Sequence, residues 1–199
     1  PVDVYTGGIE HATMHLIYTR FFHKACRDMG ITKGNEPMLK LRNQGSVLGE
    51  DNEKMSKSRG NVVDPDKLVA TYGADTVRAY LMFFARWELG APWNSSGIEG
   101  SYRWLRRMWS MFLEPEEKFS EIDPEVLKKL RRKTYQTLRS VTGDFEEFQF
   151  NTIVSSLMEL LNEIAKAKQA GAWGTNEWNE SVDVYLKMAA PVVPHITEE

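Results

Sequence analysis

The apolar positions change texture along the chain. Val2, Val4 and Tyr5 are β-prone and spaced like a strand, and the pattern breaks at Gly7-Gly8. From Ile9 to Met29 the spacing becomes helical and stops at Gly30, so the amino end predicts a strand, a glycine turn and a helix. Ser46-Val47-Leu48 predicts a short strand, and Gly49 to Asn52 a turn. Asp64 as cap, Pro65 at the first position and Asp66 near the positive end predict a helix that Gly73 terminates. Asp75 is then read as the cap of a further helix to about Ala85, with Val77, Tyr80, Leu81 and Phe84 as its apolar stripe.

Trp87 to Trp93, with Gly90 and Pro92, is the clearest linker signal, and beyond it every periodic stretch is helical. A domain boundary therefore falls there, dividing the chain into 1–88, of α/β type, and 89–199, all-α. The second part predicts helices over about Gly97–Leu113, Pro124–Phe145, Asn151–Gln169 and Glu177–Ala190, separated at Pro115, Gly143 and Gly171–Gly174. Four helices with short loops make an antiparallel up-and-down bundle. Its core is drawn from Trp104, Leu105, Met108, Leu127, Leu130, Leu138, Val154, Leu157, Leu160, Leu161, Ile164, Val184 and Leu186.

With 42% apolar residues in 199, the chain has enough material for one generous core or two small ones. The longest apolar run, Ala79 to Ala85, is far short of the roughly 20 residues a membrane span needs, which points to a soluble, cytoplasmic protein without a membrane partner. The single cysteine, Cys26, excludes an internal disulfide frame and fits a reducing compartment. A start on Pro1 rather than Met gives the impression of the middle of a longer protein. Charge is unevenly distributed along the chain. Residues 101–140 carry 10 basic and 6 acidic side chains, whereas 141–199 carry 3 and 10. Arg103, Arg106, Arg107, Lys128, Lys129, Arg131, Arg132, Lys133 and Arg139 are where a polyanion would lie, a solvated helix face being the alternative.

Two stretches carry candidate chemistry. In an open α/β sheet ligands sit at the carboxyl ends of strands, so the Gly7-Gly8 turn is a natural contact for a nucleotide. A carboxylate beside such a turn, here Glu10, can accept both hydroxyl protons of a ribose. His11 and His15 share a face of the following helix, but Ala12 stands where a zinc protease would need its Glu and no third ligand is evident, so no protein-bound metal is expected. The second stretch is Lys54-Met55-Ser56-Lys57-Ser58-Arg59-Gly60-Asn61. Two ammonium groups and two hydroxyls in a turn-prone segment can surround a polyphosphate, each charge-assisted hydrogen bond contributing about 1.5–3 kcal/mol. A solvated surface turn is the bland alternative. P-loop and GxGxxG patterns are both absent.

Lys54 to Ser58 spells KMSKS, the second signature of the class I aminoacyl-tRNA synthetases. With Gly7-Gly8-Ile9-Glu10-His11-Ala12, His15 to Phe21, Asn43-Gln44-Gly45, the Arg59 to Val63 continuation and Tyr72 to Thr76, the chain resembles the leucyl-tRNA synthetase family over nearly its whole length. The isoleucine and valine enzymes are similar around KMSKS but differ after the glycines. The resemblance implies the carboxyl half of a Rossmann-type catalytic domain followed by a helical anticodon-binding domain. It implies activation of leucine by ATP, entering as its Mg2+ complex, and transfer to tRNA-Leu by a monomeric enzyme. Gly7, Gly8 and Glu10 would then contact adenosine, and His11 and His15 would border the ATP and leucine pockets. Lys57, assisted by Lys54 and flanked by Met55, Ser56 and Ser58, would hold the phosphates. Arg103, Arg106, Arg107, Lys128, Lys129, Arg131 and Arg132 would meet tRNA. The family's first signature, a HIGH-like motif, is not in this sequence, nor is an editing domain, and Ser46 stands where the family pattern has Met. The chain alone is therefore expected to be poorly active, the rival reading being a non-catalytic tRNA-binding module.

Overall fold

A computed structural model describes residues 2–115 and 122–199. By packing, these residues form two compact units that are not contiguous in sequence. The first takes the chain up to Val62 together with Arg86–Trp93, and the second takes Val63–Ala85 together with Asn94 onward. The division differs from a cut at 88/89 for a physical reason on each side of it. Residues 90–92 of the expected linker form a strand in the first unit, while the helix before them contributes Ala79 to the core of the second.

In the first unit, strand β1 (Val2–Gly8) runs straight through both glycines and lies parallel to β2 (Met38–Gln44), in register from Val2 opposite Met38 to Gly8 opposite Gln44. Sequence periodicity did not predict β2, whose Lys40, Arg42, Asn43 and Gln44 dilute its β-prone content. A second parallel pair joins β3 (Ser46–Leu48) to β4 (Gly90–Pro92). The single helix expected over 9–29 is three segments: a 3-10 turn at Ile9–His11, a π turn at Ala12–Leu16 and α1 (Ile17–Asp28). Arg20 grips Glu36 through two hydrogen bonds of 2.7 Å, tying α1 to the loop before β2.

The second unit begins with α2 (Pro65–Tyr72), whose cap is as read: the Asp64 carboxylate accepts from the Asp66 N–H at 3.0 Å, and Gly73 at φ 85° ends the helix. Asp75 is not the cap of α3 (Ala74–Phe83). It lies inside the first turn, where its carboxylate accepts from the Ile196 N–H and meets His195 Nδ1, both at 2.8 Å. On the same helix Arg78 donates to the carbonyls of Pro191 and Val192, so α3 holds the turn between α7 (Asn176–Ala189) and α8 (Pro194–Glu198) from both sides. Within the α3 stripe Val77 and Tyr80 are buried, whereas Leu81 is exposed.

Helices α4 (Ile98–Leu113), α5 (Pro124–Glu146) and α6 (Phe150–Ala167) follow. Asp123 caps α5 by accepting from Glu125 N–H, as its sequence predicts. Gly143 does not end that helix. A glycine costs about 1 kcal/mol in a helix interior, and packing of α5 against α6 and α7 overrides it. The break comes at Phe148, with φ 60°. The core takes Trp104, Leu105, Met108, Leu130, Val154, Leu157, Leu160, Leu161 and Ile164, as expected, while Leu127, Leu138 and Val184 sit half-buried at its edge. On α7 the inward stripe is Trp178, Ser181, Tyr185 and Met188, shifted from the expected Val184 and Leu186. The hydroxyl of Tyr185 sets that phase by accepting from Trp104 Nε1 at 3.1 Å. No helix among the described residues is long and apolar enough to cross a membrane.

Candidate functional site

The carboxyl end of β1 carries the first candidate group. Gly8 is extended, with φ −66° and ψ 146°, so it is not a glycine for conformational reasons. A Cβ built there would meet the carboxyl carbon of Glu10 at 2.6 Å, so the Glu10 carboxylate lies over the Gly8 backbone at the end of the strand. His11 follows on the exposed 3-10 turn, and His15 on the π turn. Such π turns often mark functional positions in helices. Sequence reading did not single out Tyr5, yet it is His15's partner: its hydroxyl lies 2.6 Å from His15 Nδ1, and the two rings stack with centroids 5.4 Å apart. Strand and helix turn are thus tied by one side-chain pair.

Beside this end of the sheet an open depression of about 730 Å³ is lined by Ile9, by residues 41–46 and Leu48, and by residues 88–92. It lies where β1 and β2 finish, the position at which open parallel sheets receive ligands. Among the described residues no group of three or more His, Cys, Asp or Glu side chains is placed to hold a metal ion.

The second candidate group is the loop from Gly49 to Asn61. Leu48 and Lys54 form an isolated antiparallel bridge, and the Gly49 N–H donates to the Glu53 carbonyl, which closes the loop at its base. Past Met55 the chain makes a tight turn: Arg59 N–H and Gly60 N–H both donate to the Ser56 carbonyl at 3.1 Å. Ser56 and Ser58 hydroxyls are 2.7 Å apart. Lys54 and Lys57 are both exposed, and neither ammonium group has an ion-pair partner among the described residues. That is unusual for a loop that also holds Glu50, Asp51 and Glu53. The acids are otherwise engaged. Glu53 pairs with Arg59 at 2.9 Å, and Asp51 accepts from the Glu53 N–H and from the Asn61 amide. Hydrogen bonding, first from the Glu53 N–H and then from Asn61, holds the Asp51 carboxyl below the usual carboxylate range. A loop with two unpaired cations and internally satisfied anions can accept an external polyanion without first breaking an ion pair.

In the second unit the structure sorts the basic residues. Lys128 pairs with Glu125, Lys129 with Glu163 and Arg131 with Glu180, and Lys133 pairs with Glu159. Arg107 donates to the Asn162 side chain at 2.6 Å. Arg103 and Arg132 are exposed without an acidic partner among the described residues, and Arg106 only overlies the Tyr102 ring, 5.9 Å from its centroid. Charge available to a polyanion therefore concentrates on fewer residues than the sequence cluster implied.

Comparison with known proteins gives these sites a lineage. The family described as class I tRNA synthetases for isoleucine, leucine, methionine and valine matches residues 1–88, and the anticodon-binding domain of tRNA ligases matches residues 128–199. The leucine–tRNA ligase of Deinococcus radiodurans is 57% identical, and that of Herpetosiphon aurantiacus 50%, each alignment covering 100% of this chain and 24% of the relative. The chain thus spans about a quarter of the length of these relatives. Among solved structures, Agrobacterium radiobacter K84 agnB2 LeuRS, in a ternary complex described as LeuRS-tRNA-LeuAMS, superposes with a TM-score of 0.87 at 34% identity over 98% of this chain and 26% of its own. Methionyl-tRNA synthetase of Mycobacterium tuberculosis shares the fold, with a TM-score of 0.71 at 20% identity over 100% of this chain and 43% of its own. The chain belongs, as a segment, to the leucine–tRNA ligase family of class I aminoacyl-tRNA synthetases.

Proposed function

We propose that this chain forms one side of the adenylation site of a leucine–tRNA ligase, together with part of its tRNA-binding surface. Residues 1–88 act as the carboxyl half of the Rossmann-type catalytic domain, and 89–199 as an antiparallel helical domain that packs along tRNA-Leu. Exposed apolar residues in the first unit support the half-domain reading. Val2, Leu39, Phe21 and Phe22 are all more than half exposed, whereas parallel sheets are ordinarily covered on both faces. The enzyme is a cytoplasmic monomer in this account.

The reaction is in-line attack by the leucine carboxylate on the α-phosphorus of ATP, which enters as its Mg2+ complex; the bond from the α-phosphorus to the oxygen bridging to the β-phosphate breaks, so that leucyl-adenylate forms and pyrophosphate departs with that oxygen. Nothing covalent is asked of the protein, so catalysis is positioning and charge neutralisation. Glu10, lying over Gly8, accepts the ribose hydroxyls at the end of β1. His11 borders the nucleotide. His15, oriented by Tyr5, borders the leucine side chain. Lys57, with Lys54 beside it, neutralises charge that moves onto pyrophosphate as the bond breaks, and Met55, Ser56 and Ser58 shape the turn that presents it. Arg103, Arg106 and Arg132 supply the first contacts to tRNA phosphates, while Arg107, Lys128, Lys129 and Arg131 exchange their internal partners for RNA.

The observation that carries this reading is the pair of exposed lysines without acidic partners in an acid-rich loop. The test is leucine-dependent ATP–pyrophosphate exchange by the complete protein. Exchange with leucine and not with isoleucine or valine is the expected result, and no exchange with any amino acid would favour the tRNA-binding module without catalysis. These 199 residues alone should exchange poorly, because the remaining phosphate contacts belong to other parts of the enzyme.

A further inference from the structure

One carboxamide organises the loop that carries both lysines. The Asn61 Oδ1 accepts the Ser56 N–H at 2.8 Å. Its Nδ2 donates to both carboxylate oxygens of Asp51, at 3.1 and 3.0 Å, and reaches toward the Lys54 carbonyl at 3.4 Å. Asp51 in turn accepts the Glu53 N–H at 3.0 Å. A single side chain thus joins the entry of the loop to the backbone on either side of Met55. The turn that displays Lys57 starts at Ser56, so its direction is set by this clasp. Space for the clasp comes from Gly49, where a Cβ would stand 2.5 Å from Asp51 Oδ1 and 2.9 Å from Asn61 Nδ2.

The chemistry of the pair explains why these residue types are used. Asn presents one acceptor and two donors on a short stem, so it can take a backbone N–H and give to a carboxylate at once. Asp in its place could not donate, and Gln would overreach by a methylene. The ion pair of Arg59 with Glu53 is exposed on both sides at 57% and 61% and holds little by itself. Meanwhile Asp51 is occupied by two N–H donors and is not drawn onto Lys54 or Lys57.

We propose that Asn61 and Asp51 are positioning residues for the phosphate clamp, acting on adenylation through Lys57 without touching substrate. The inference rests on the adenylation reading above and extends it to residues outside the five-letter signature. Misplacing a catalytic group by about 1 Å is enough to cost on the order of a hundredfold in rate.

The experiment is leucine-dependent pyrophosphate exchange in the complete protein, with thermal unfolding of each variant measured alongside. Asn61→Ala should lower kcat about 10- to 100-fold and leave KM for leucine within about twofold, since the leucine pocket is untouched. Combined with Lys57→Ala, it should add less than about twofold to the loss from Lys57→Ala alone, because two residues acting through one ammonium group are not additive. Asp51→Asn, which keeps one acceptor, should recover most of the activity that Asp51→Ala loses. Wild-type kcat in Asn61→Ala, full additivity with Lys57→Ala, or a KM for leucine rising in step with the loss would each overturn the clasp while leaving the adenylation reading intact. A wild-type protein without leucine-dependent exchange would overturn the adenylation reading, and the clasp with it.

Discussion

Replacing Asp75 by Ala should unfold the helical unit earlier, by an amount the geometry sets. Asp75 is 8% exposed and holds the start of α8 through two contacts of 2.8 Å. The bond from the Ile196 N–H to a carboxylate is of the charge-assisted kind, worth about 1.5–3 kcal/mol. The contact with His195 counts for less, because that ring is 74% exposed and solvent screens the pair to about 0.5 kcal/mol. Truncation therefore costs about 2–3.5 kcal/mol. For a chain of this size each kcal/mol moves the midpoint by about 2–4 °C, so a fall of about 4–14 °C is expected. Asp75→Asn keeps a neutral acceptor for the Ile196 N–H and should restore about 1 kcal/mol. Urea and thermal unfolding followed by far-UV circular dichroism measure both. A stability within about 0.5 kcal/mol of wild type for Asp75→Ala would show that Arg78 holds the turn without it, and the reasoning would be refuted.

Three further outcomes follow from other contacts. Tyr185→Phe leaves the buried Trp104 N–H without its acceptor and should cost about 1–3 kcal/mol in urea unfolding; an unchanged midpoint would mean that the Trp104 bond does not fix the phase of α7. Arg20 lowers the Glu36 carboxyl to about 2, below its ordinary value near 4.5. A depressed carboxyl stabilises the fold above the unfolded-state value, and that contribution fades as pH falls toward the folded one. Wild type and Glu36→Gln should therefore differ in stability at pH 6 and converge between about pH 4.5 and 2, whereas a pH-independent gap would contradict the pairing. Neutralising Arg103 and Arg106 should flatten the salt dependence of tRNA binding, its slope falling by up to ~0.9 for each phosphate that the variant no longer neutralises, and the paired Lys129 and Arg131 should matter less; equal effects would mean that the internal ion pairs do not compete with RNA.

Features that depend on near neighbours were legible in the sequence. The Asp64 and Asp123 caps bond two residues ahead, so a local pattern contains the whole interaction. The Leu157, Leu160, Leu161 and Ile164 stripe was legible because burial repeats with the helix. What failed depends on partners far along the chain. Asp75 looks like a cap until its partners at positions 195 and 196 are seen. Strand β2 owes its form to pairing with β1, and β4, a Gly-Ala-Pro triplet, to pairing with β3, and neither has the composition of a strand. Gly143 failed in the opposite sense, its local cost being overridden by packing on both flanks of α5. At the candidate site the signature lysines and Glu10 could be given roles from the letters alone, whereas Tyr5 was legible only as a strand residue and Asn61 only as part of the signature stretch. Each acts by a side-chain bond whose spacing, 10 and 5 residues, follows no helical or strand period.

The proposed role of Lys57 is to neutralise the charge of departing pyrophosphate. A preorganised donor of this kind is worth about 2.7–4 kcal/mol at the transition state, or about 10²- to 10³-fold in rate. Leucine-dependent pyrophosphate exchange by the Lys57→Ala variant of the complete protein measures that contribution. A kcat lower by that factor with leucine binding nearly unchanged is the predicted result, and a near-normal kcat would contradict the claim.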